Sequence, residues 1–189
     1  MEPRRTGRSG RRQGIPMGQN PQPESYTIAP LTPADREPAI DLLNHYIAGS
    51  FAAFPLRPMP YPFFDMLLKA AETHPALTAR DPAGVFAGFG MLRPYHFAES
   101  FAATAEISYF LAPEHTRRGL GGLLLARLEA AARAMGVNQL LAQISSLNQP
   151  SLDFHARHGF AQCGRLKDIG RKFGRDFDVI WMQKAVEAA

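Results

Sequence analysis

Residues 108–127 read Ser108-Tyr-Phe-Leu-Ala-Pro-Glu-His-Thr-Arg-Arg-Gly-Leu-Gly-Gly-Leu-Leu-Leu-Ala-Arg127. The start reads as a strand, the middle as a basic, glycine-bearing turn, and the end as an amphipathic helix. Gly119, Gly121 and Gly122 remove side chains where a ligand can approach the backbone. Arg117 and Arg118 set positive charge beside the unpaired N–H groups of a helix N-terminus. Together these features make an anion cradle suited to a pyrophosphate.

Two common phosphate loops are excluded. A Walker loop needs Lys followed by Ser or Thr after its last glycine, and Gly122 is followed by Leu123 and Leu124. The dinucleotide fingerprint needs a third glycine, or an alanine in its place, where Leu124 stands, and no acidic residue occupies the ribose position.

Working outward, Tyr26 to Ala29 reads as a first strand, and Thr32-Pro33 as a helix start. Ala39, Ile40, Leu42, Leu43, Tyr46 and Ile47 give that helix its apolar face, ending near Gly49. A Pro- and Phe-rich stretch, Phe51 to Pro62, precedes a second helix carrying Phe64, Met66, Leu67 and Ala70. Ala76–Arg80 and Val85–Leu92 flank the turn signal Asp81-Pro-Ala-Gly84 and predict a hairpin. Ala103–Ala112 is the strand entering the anion loop. Leu123, Leu124, Leu128, Ala131 and Ala132 form one face of the following helix, which Gly136 ends. A short strand, Asn138–Ile144, leads to a helix opened by Asn148-Gln-Pro-Ser and closed by Gly159. Phe160–Lys172 and Phe177–Met182 are the last strands.

The chain has 189 residues, 46% of them hydrophobic, which fits one domain with a sizeable core. No apolar run approaches the roughly 20 residues of a membrane span. The single cysteine, Cys163, excludes an internal disulfide and reads as a packing residue in a reducing, cytoplasmic setting. Of the net charge of +4, residues 1–24 hold +3, five arginines against Glu2 and Glu24. That segment reads as a disordered basic extension, with Met17 as an alternative start, ahead of a folded domain at 25–189. It has no apolar core of a secretory signal.

The strand–Arg-Arg-Gly-Leu-Gly-Gly–helix arrangement resembles the acetyl-CoA pyrophosphate loop of the GNAT N-acetyltransferases. The family form is Gln or Arg, two residues, Gly, any residue, then Gly or Ala; Thr116 replaces the first of these. The element order also resembles the GNAT fold, from about Tyr26 to Val186. The resemblance implies an α/β architecture, a mixed, mostly antiparallel central sheet with helices on both faces. Four further segments resemble one branch, the phosphinothricin and methionine sulfone/sulfoximine acetyltransferases. They are Asn44-His-Tyr-Ile47; Glu106-Ile-Ser-Tyr-Phe-Leu111; Asn148-Gln-Pro-Ser with His155-Ala-Arg-His-Gly-Phe160; and Gly170-Arg-Lys-Phe-Gly-Arg175 with Asp178-Val179.

The resemblance implies an enzyme moving an acetyl group from acetyl-CoA to the amine of a small molecule, an amino-acid analogue being one candidate, directly in a ternary complex. That chemistry takes a proton from the amine and stabilises the leaving thiolate. It places the carboxylate base at Glu106 and a proton donor or steering group at His155. The implied cofactor contacts are the backbone of Tyr109, Phe110 and Leu111, the loop Arg117, Arg118, Gly119, Leu120, Gly121 and Gly122, and the capping residue Asn148. Relatives acting on phosphinothricin carry an aromatic residue and arginines shortly before the glutamate. Here Phe101 matches the aromatic, while the arginine places hold Ala98 and His96, leaving Arg93 as a substitute. Phe51, Phe54, Tyr61 and Phe63 are read as an aromatic pocket wall, with Lys172 and Phe173 also toward the substrate. No metal is implied, and homodimers are frequent in the family. Two alternatives are a catalytically silent acetyl-CoA-binding module and a nucleic-acid-associated or protein acetyltransferase using the arginine tail.

Overall fold

The computed structural model describes residues 25–186, so the basic extension and the last three residues lie outside the described part. The first half of the chain runs β1 (Thr27–Pro30), α1 (Arg36–Gly49), α2 (Phe63–Ala71), β2 (Ala76–Arg80), β3 (Phe86–Pro94) and β4 (Thr104–Leu111). The second half runs α3 (Leu120–Ala134), β5 (Gln139–Ser145), α4 (Gln149–Arg157), β6 (Ala161–Lys172) and β7 (Arg175–Ala185). The α/β architecture expected from the resemblance is what the chain adopts.

The strands form one seven-stranded sheet in the order β1-β2-β3-β4-β5-β7-β6. Every neighbouring pair is antiparallel except β4 with β5. Two apolar layers hold helices against the sheet. Leu124, Leu125, Leu128 and Ala132 of α3 are buried with Leu140, Ala142, Ile144, Ile180 and Met182 on one face. Ala39, Ile40, Leu43 and Ile47 of α1 and Phe64 of α2 cover Phe89 and Met91 on the other. Two helices therefore cover only the β1–β4 half of that second face.

Thr32-Pro33 opens a short 3-10 turn, Pro33–Asp35, that feeds directly into α1. The buried Asp35 accepts the N–H of Thr32 at 2.9 Å and pairs with Arg80 of β2. The charge is thus compensated where it is removed from water.

The parallel pairing of β4 and β5 is short, running from Thr104↔Gln139 to Glu106↔Leu141. Beyond Glu106, β4 stays bonded to β3 as far as Leu111↔Gly88, and β5 stays bonded to β7 as far as Ser145↔Val179. The sheet therefore splits down its middle. Backbone groups on the facing edges of Ile107–Leu111 and Ala142–Ser145 have no strand partner across the gap and need another one.

Candidate active site

A cleft of about 980 Å³ fills the split between β4 and β5 and continues to the start of α3. Ile107, Tyr109, Phe110 and Leu111 line one side; Ala142, Gln143 and Ile144 line the other. Thr116, Arg117, Gly119, Gly121 and Gly122 close one end, and Asn148 with residues of α4 forms the remaining wall. The volume is that of a site for a cofactor-sized molecule.

The loop before α3 turns through two left-handed residues, Arg117 at φ 58° and Gly119 at φ 80°. The arginine tolerates this at a cost of order 1–3 kcal/mol, a strain that functional loops retain. Such turns make concavities of backbone N–H groups, here at the positive end of a 15-residue helix. A Cβ on Gly121 would lie 3.0 Å from the Phe154 ring, and one on Gly122 would lie 3.0 Å from His158 Nε2. The glycines thus let the start of α3 approach Phe154 and His158 of the α4 segment more closely than any side chain would allow. The residues present fit a pyrophosphate.

The structure places three of the sequence-derived cofactor residues in more detail. The Leu120 side chain is fully buried beside Tyr26, Ala79 and Ala87, so only its backbone can serve a ligand. Arg118 is absent from the cleft lining, whereas Arg117 is in it. Asn148 caps α4, its Oδ1 accepting the Ser151 N–H at 3.4 Å, and also lines the cleft.

His155 is buried on α4, and its ring is tied at both nitrogens. Nδ1 lies 2.7 Å from the Ser151 carbonyl oxygen, which only accepts, so Nδ1 carries the proton. Nε2 is then the acceptor for the Tyr109 hydroxyl at 2.7 Å. Burial pushes the imidazole pKa down, the Ser151 carbonyl opposes this, and nearby His158 adds to the lowering. Burial, and then the charge of Glu129, pushes the Tyr109 phenol well above its ordinary value. Both groups are therefore neutral near pH 7. A lowered histidine pKa means the unfolded chain binds the extra proton first, so this contribution to stability is present above about pH 6.5 and declines as pH falls.

Glu106 sits at the apex of the split, the last β4 residue paired to β5. Its carboxylate is buried, and two side chains take the same oxygen, Oε2: the Arg93 guanidinium and, at 3.1 Å, Gln143 Nε2. Arg93 is its cross-strand partner on β3, and Gln143 lines the cleft. Oε1 has no protein partner among the described residues. Arg93 thus compensates the buried carboxylate and extends from it into solvent, its side chain 53% exposed.

Residues opposite each other in a ladder point to the same face. Arg93, Glu106, Gln143 and Trp181 therefore share the face that α1 and α2 leave half open. Phe177, four residues from Trp181 on β7, shares it too and packs against Phe51 and Phe54 at 5.7 and 5.8 Å between ring centroids. Phe51 also meets Phe173 at 5.5 Å. Buried Lys172 donates to the Ala53 carbonyl at 2.6 Å, and burial lowers its pKa. Phe51, Phe54, Lys172 and Phe173 are thus one cluster, binding the loop after α1 to the β6–β7 hairpin.

Phe101 lies elsewhere, against Tyr95 on the β3–β4 connection. Of the aromatic wall read from Phe51 to Phe63, Phe51 and Phe54 belong to that cluster and the other two rings do not. Phe63 packs into the α1–α2 layer, and Tyr61 turns outward to donate to Asp41 at 3.0 Å. Gln143 was not legible as a neighbour of Glu106, nor Trp181 as the cross-strand partner of Gln143, because only register brings them together.

Comparison with known proteins agrees with this geometry. Residues 39–160 match the acetyltransferase (GNAT) family. The phosphinothricin N-acetyltransferase of Streptomyces coelicolor is 31% identical over 161 residues, covering 83% of this chain and 94% of its own. The L-methionine sulfoximine/L-methionine sulfone acetyltransferase of Pseudomonas aeruginosa is 37% identical over 118 residues, covering 61% of this chain and 67% of its own. Among solved structures, the putative acetyltransferase yncA of Salmonella typhimurium, solved with its cofactor acetyl-CoA, superposes with a TM-score of 0.80. It shares 28% identity, over 87% of this chain and 96% of that one. With a split sheet, a glycine-opened α3 and a matched segment spanning both, the chain belongs to the GNAT family of N-acetyltransferases.

Proposed function

We propose that the chain transfers an acetyl group from acetyl-CoA to the amine of a small molecule, one of amino-acid type, directly between the two bound substrates. The observation that carries this reading is the position of Glu106. It lies where the cleft between β4 and β5 meets the half-open face, so a carboxylate stands at the junction of a cofactor site and an acceptor site.

Acetyl-CoA would lie with its pyrophosphate on Arg117 and Gly119–Gly122 and its pantetheine between the strands, and it supplies the activated acetyl group. The edge groups of residues 107–110 offer the pantetheine amides the hydrogen bonds that β5 does not, while the Leu111 carbonyl already accepts the Tyr46 hydroxyl at 2.7 Å. Glu106 Oε1 accepts a proton from the incoming ammonium, while Oε2 remains held by Arg93 and Gln143. Arg93, half exposed beside it, is placed to meet a substrate carboxylate. Tyr109 and His155 line the cleft as a pair. His155, with both nitrogens engaged, holds the phenol, whose one proton lies on the Nε2 bond; as the thiolate departs, the Tyr109 hydroxyl gives up that bond and turns the same proton to the sulfur. The scheme uses no metal.

Among the described residues, no helix is long and apolar enough to cross a membrane. We place the enzyme in the cytoplasm, on this reaction and on its single cysteine, Cys163, which is exposed on β6 rather than packed as its sequence suggested. Nothing in this scheme calls on the arginine-rich extension.

Two outcomes follow. Phosphinothricin is expected to be a poor acceptor compared with the best amine in a screen, measured by thiol release. The arginine places before Glu106 hold His96 and Ala98, and Arg93 is already engaged with Glu106. A bidentate guanidinium clamp is thereby lost to a second anionic group. Phosphinothricin emerging as the best acceptor would contradict this.

The second concerns assembly. Phe97 is 93% exposed, and Leu166 and Ile169 project from the outer edge strand β6. We expect an isologous homodimer that covers such groups. Light scattering at micromolar concentration should give twice the chain mass, and a monomer mass would refute it.

A further inference from the structure

Tyr95, Trp181 and Phe101 form an aromatic corner that the scheme above leaves unused. Tyr95 follows Pro94 at the end of β3, and its N–H still bonds the Thr104 carbonyl at 3.4 Å, so the ladder fixes it rather than a free loop. Its ring meets Trp181 edge-on, with centroids 6.2 Å apart and planes at 87°, and Phe101 at 5.6 Å and 75°. Tyr95 and Phe101 remain 38% and 41% exposed, so the corner offers ring surface to a ligand. By strand parity Tyr95 shares the face of Arg93 and Glu106, about 7 Å further along β3. Trp181 reaches the same face from β7, opposite Gln143, whose amide bonds Glu106.

We infer that this corner is the side-chain subsite of the acceptor, and that the acceptor is an α-amino acid bearing an aromatic side chain. The inference rests on the transfer reaction proposed above and names its substrate. With the ammonium at Glu106 Oε1 and the carboxylate at Arg93, the roughly 7 Å of strand between Arg93 and Tyr95 leaves room for a ring on the acceptor's side chain to lie against the corner. An aromatic side chain would then continue the edge-to-face pattern that these three residues already set. An anionic side chain would instead meet ring faces of negative potential, with Arg93 already paired to Glu106 and His96 packed edge-on against Phe101 at 5.0 Å.

The test measures acetyl-CoA-dependent thiol release with L-phenylalanine, L-alanine and phenethylamine. Phenylalanine is expected to exceed alanine by about tenfold or more in kcat/KM, carried mainly by KM. It should also exceed phenethylamine, which has a ring but no carboxylate for Arg93. Tyr95→Ala, at an exposed position, and Trp181→Leu should each move the phenylalanine-to-alanine ratio toward one. Alanine equal to or better than phenylalanine, or a ratio unmoved by both variants, overturns the subsite and leaves acetyl transfer standing. Absence of thiol release with every amine would overturn the transfer reaction and the subsite together.

Discussion

Glu106→Gln is expected to lower kcat/KM by about 10²–10⁴-fold, the usual range for loss of a general base. The amide keeps the shape and can still meet Gln143, but it cannot take a proton from an ammonium group. Acetyl-CoA affinity should barely change, because the anion loop begins 11 residues further along, at Arg117, at the other end of the cleft. Raising the pH should partly restore the rate, since more of the amine then arrives deprotonated. Near-native turnover at neutral pH would show that the proton leaves by another route. Arg93 adds an internal control. Its guanidinium loses its charge partner in the variant, so a loss of thermal stability without loss of rate would assign the pair to structure alone.

The second large effect is expected at Gly121. A valine there places its first carbon 3.0 Å from the Phe154 ring and 3.5 Å from Leu111, so its bulk must displace side chains that line the cleft beside the proposed pyrophosphate. Acetyl-CoA affinity by calorimetry should fall by about a hundredfold or more, ~2.7 kcal/mol. The α3 fold should survive, since the core residues Leu124, Leu125 and Leu128 face away from the cleft. Unchanged affinity in a folded Gly121→Val protein would mean that the cofactor does not approach this helix.

The sequence was most legible where a local rule decides the structure. Alternation along Ala103–Ala112, glycines ahead of an apolar 3.6-residue stripe, and Asp81-Pro-Ala-Gly84 between two apolar runs each act within about ten residues. The corresponding β4, α3 and β2–β3 hairpin lie where those signals put them. The β6–β7 hairpin was less legible. Its turn is Phe173-Gly174 with φ of 50° and 73°, and a phenylalanine is an unusual residue for a left-handed position. The last strand accordingly starts at Arg175, two residues before the Phe177 expected from its apolar run.

Site pairings were least legible, because they depend on register between distant segments. Glu106 with Arg93, and Tyr109 with His155, are 13 and 46 residues apart. Each residue was visible alone; no local pattern says that the histidine's nitrogens are both engaged or that the arginine points at the carboxylate. Tyr61 and Phe63 failed for a related reason. The stretch after α1 has no periodicity, so nothing in it tells which rings turn inward. Leu120 was read as lending its amide to a ligand loop, and its side chain is core, because the first turn of a buried helix can serve both.

The most direct test of the account is amine-dependent release of CoA thiol, measured together with mass spectrometry of the acceptor. The purified chain, acetyl-CoA and an amino-acid panel should give thiol and N-acetylated product in equal amounts, with little thiol released in the absence of amine. Tight binding of acetyl-CoA with no acceptor-dependent thiol release would contradict the account and leave a binding module in place of an enzyme.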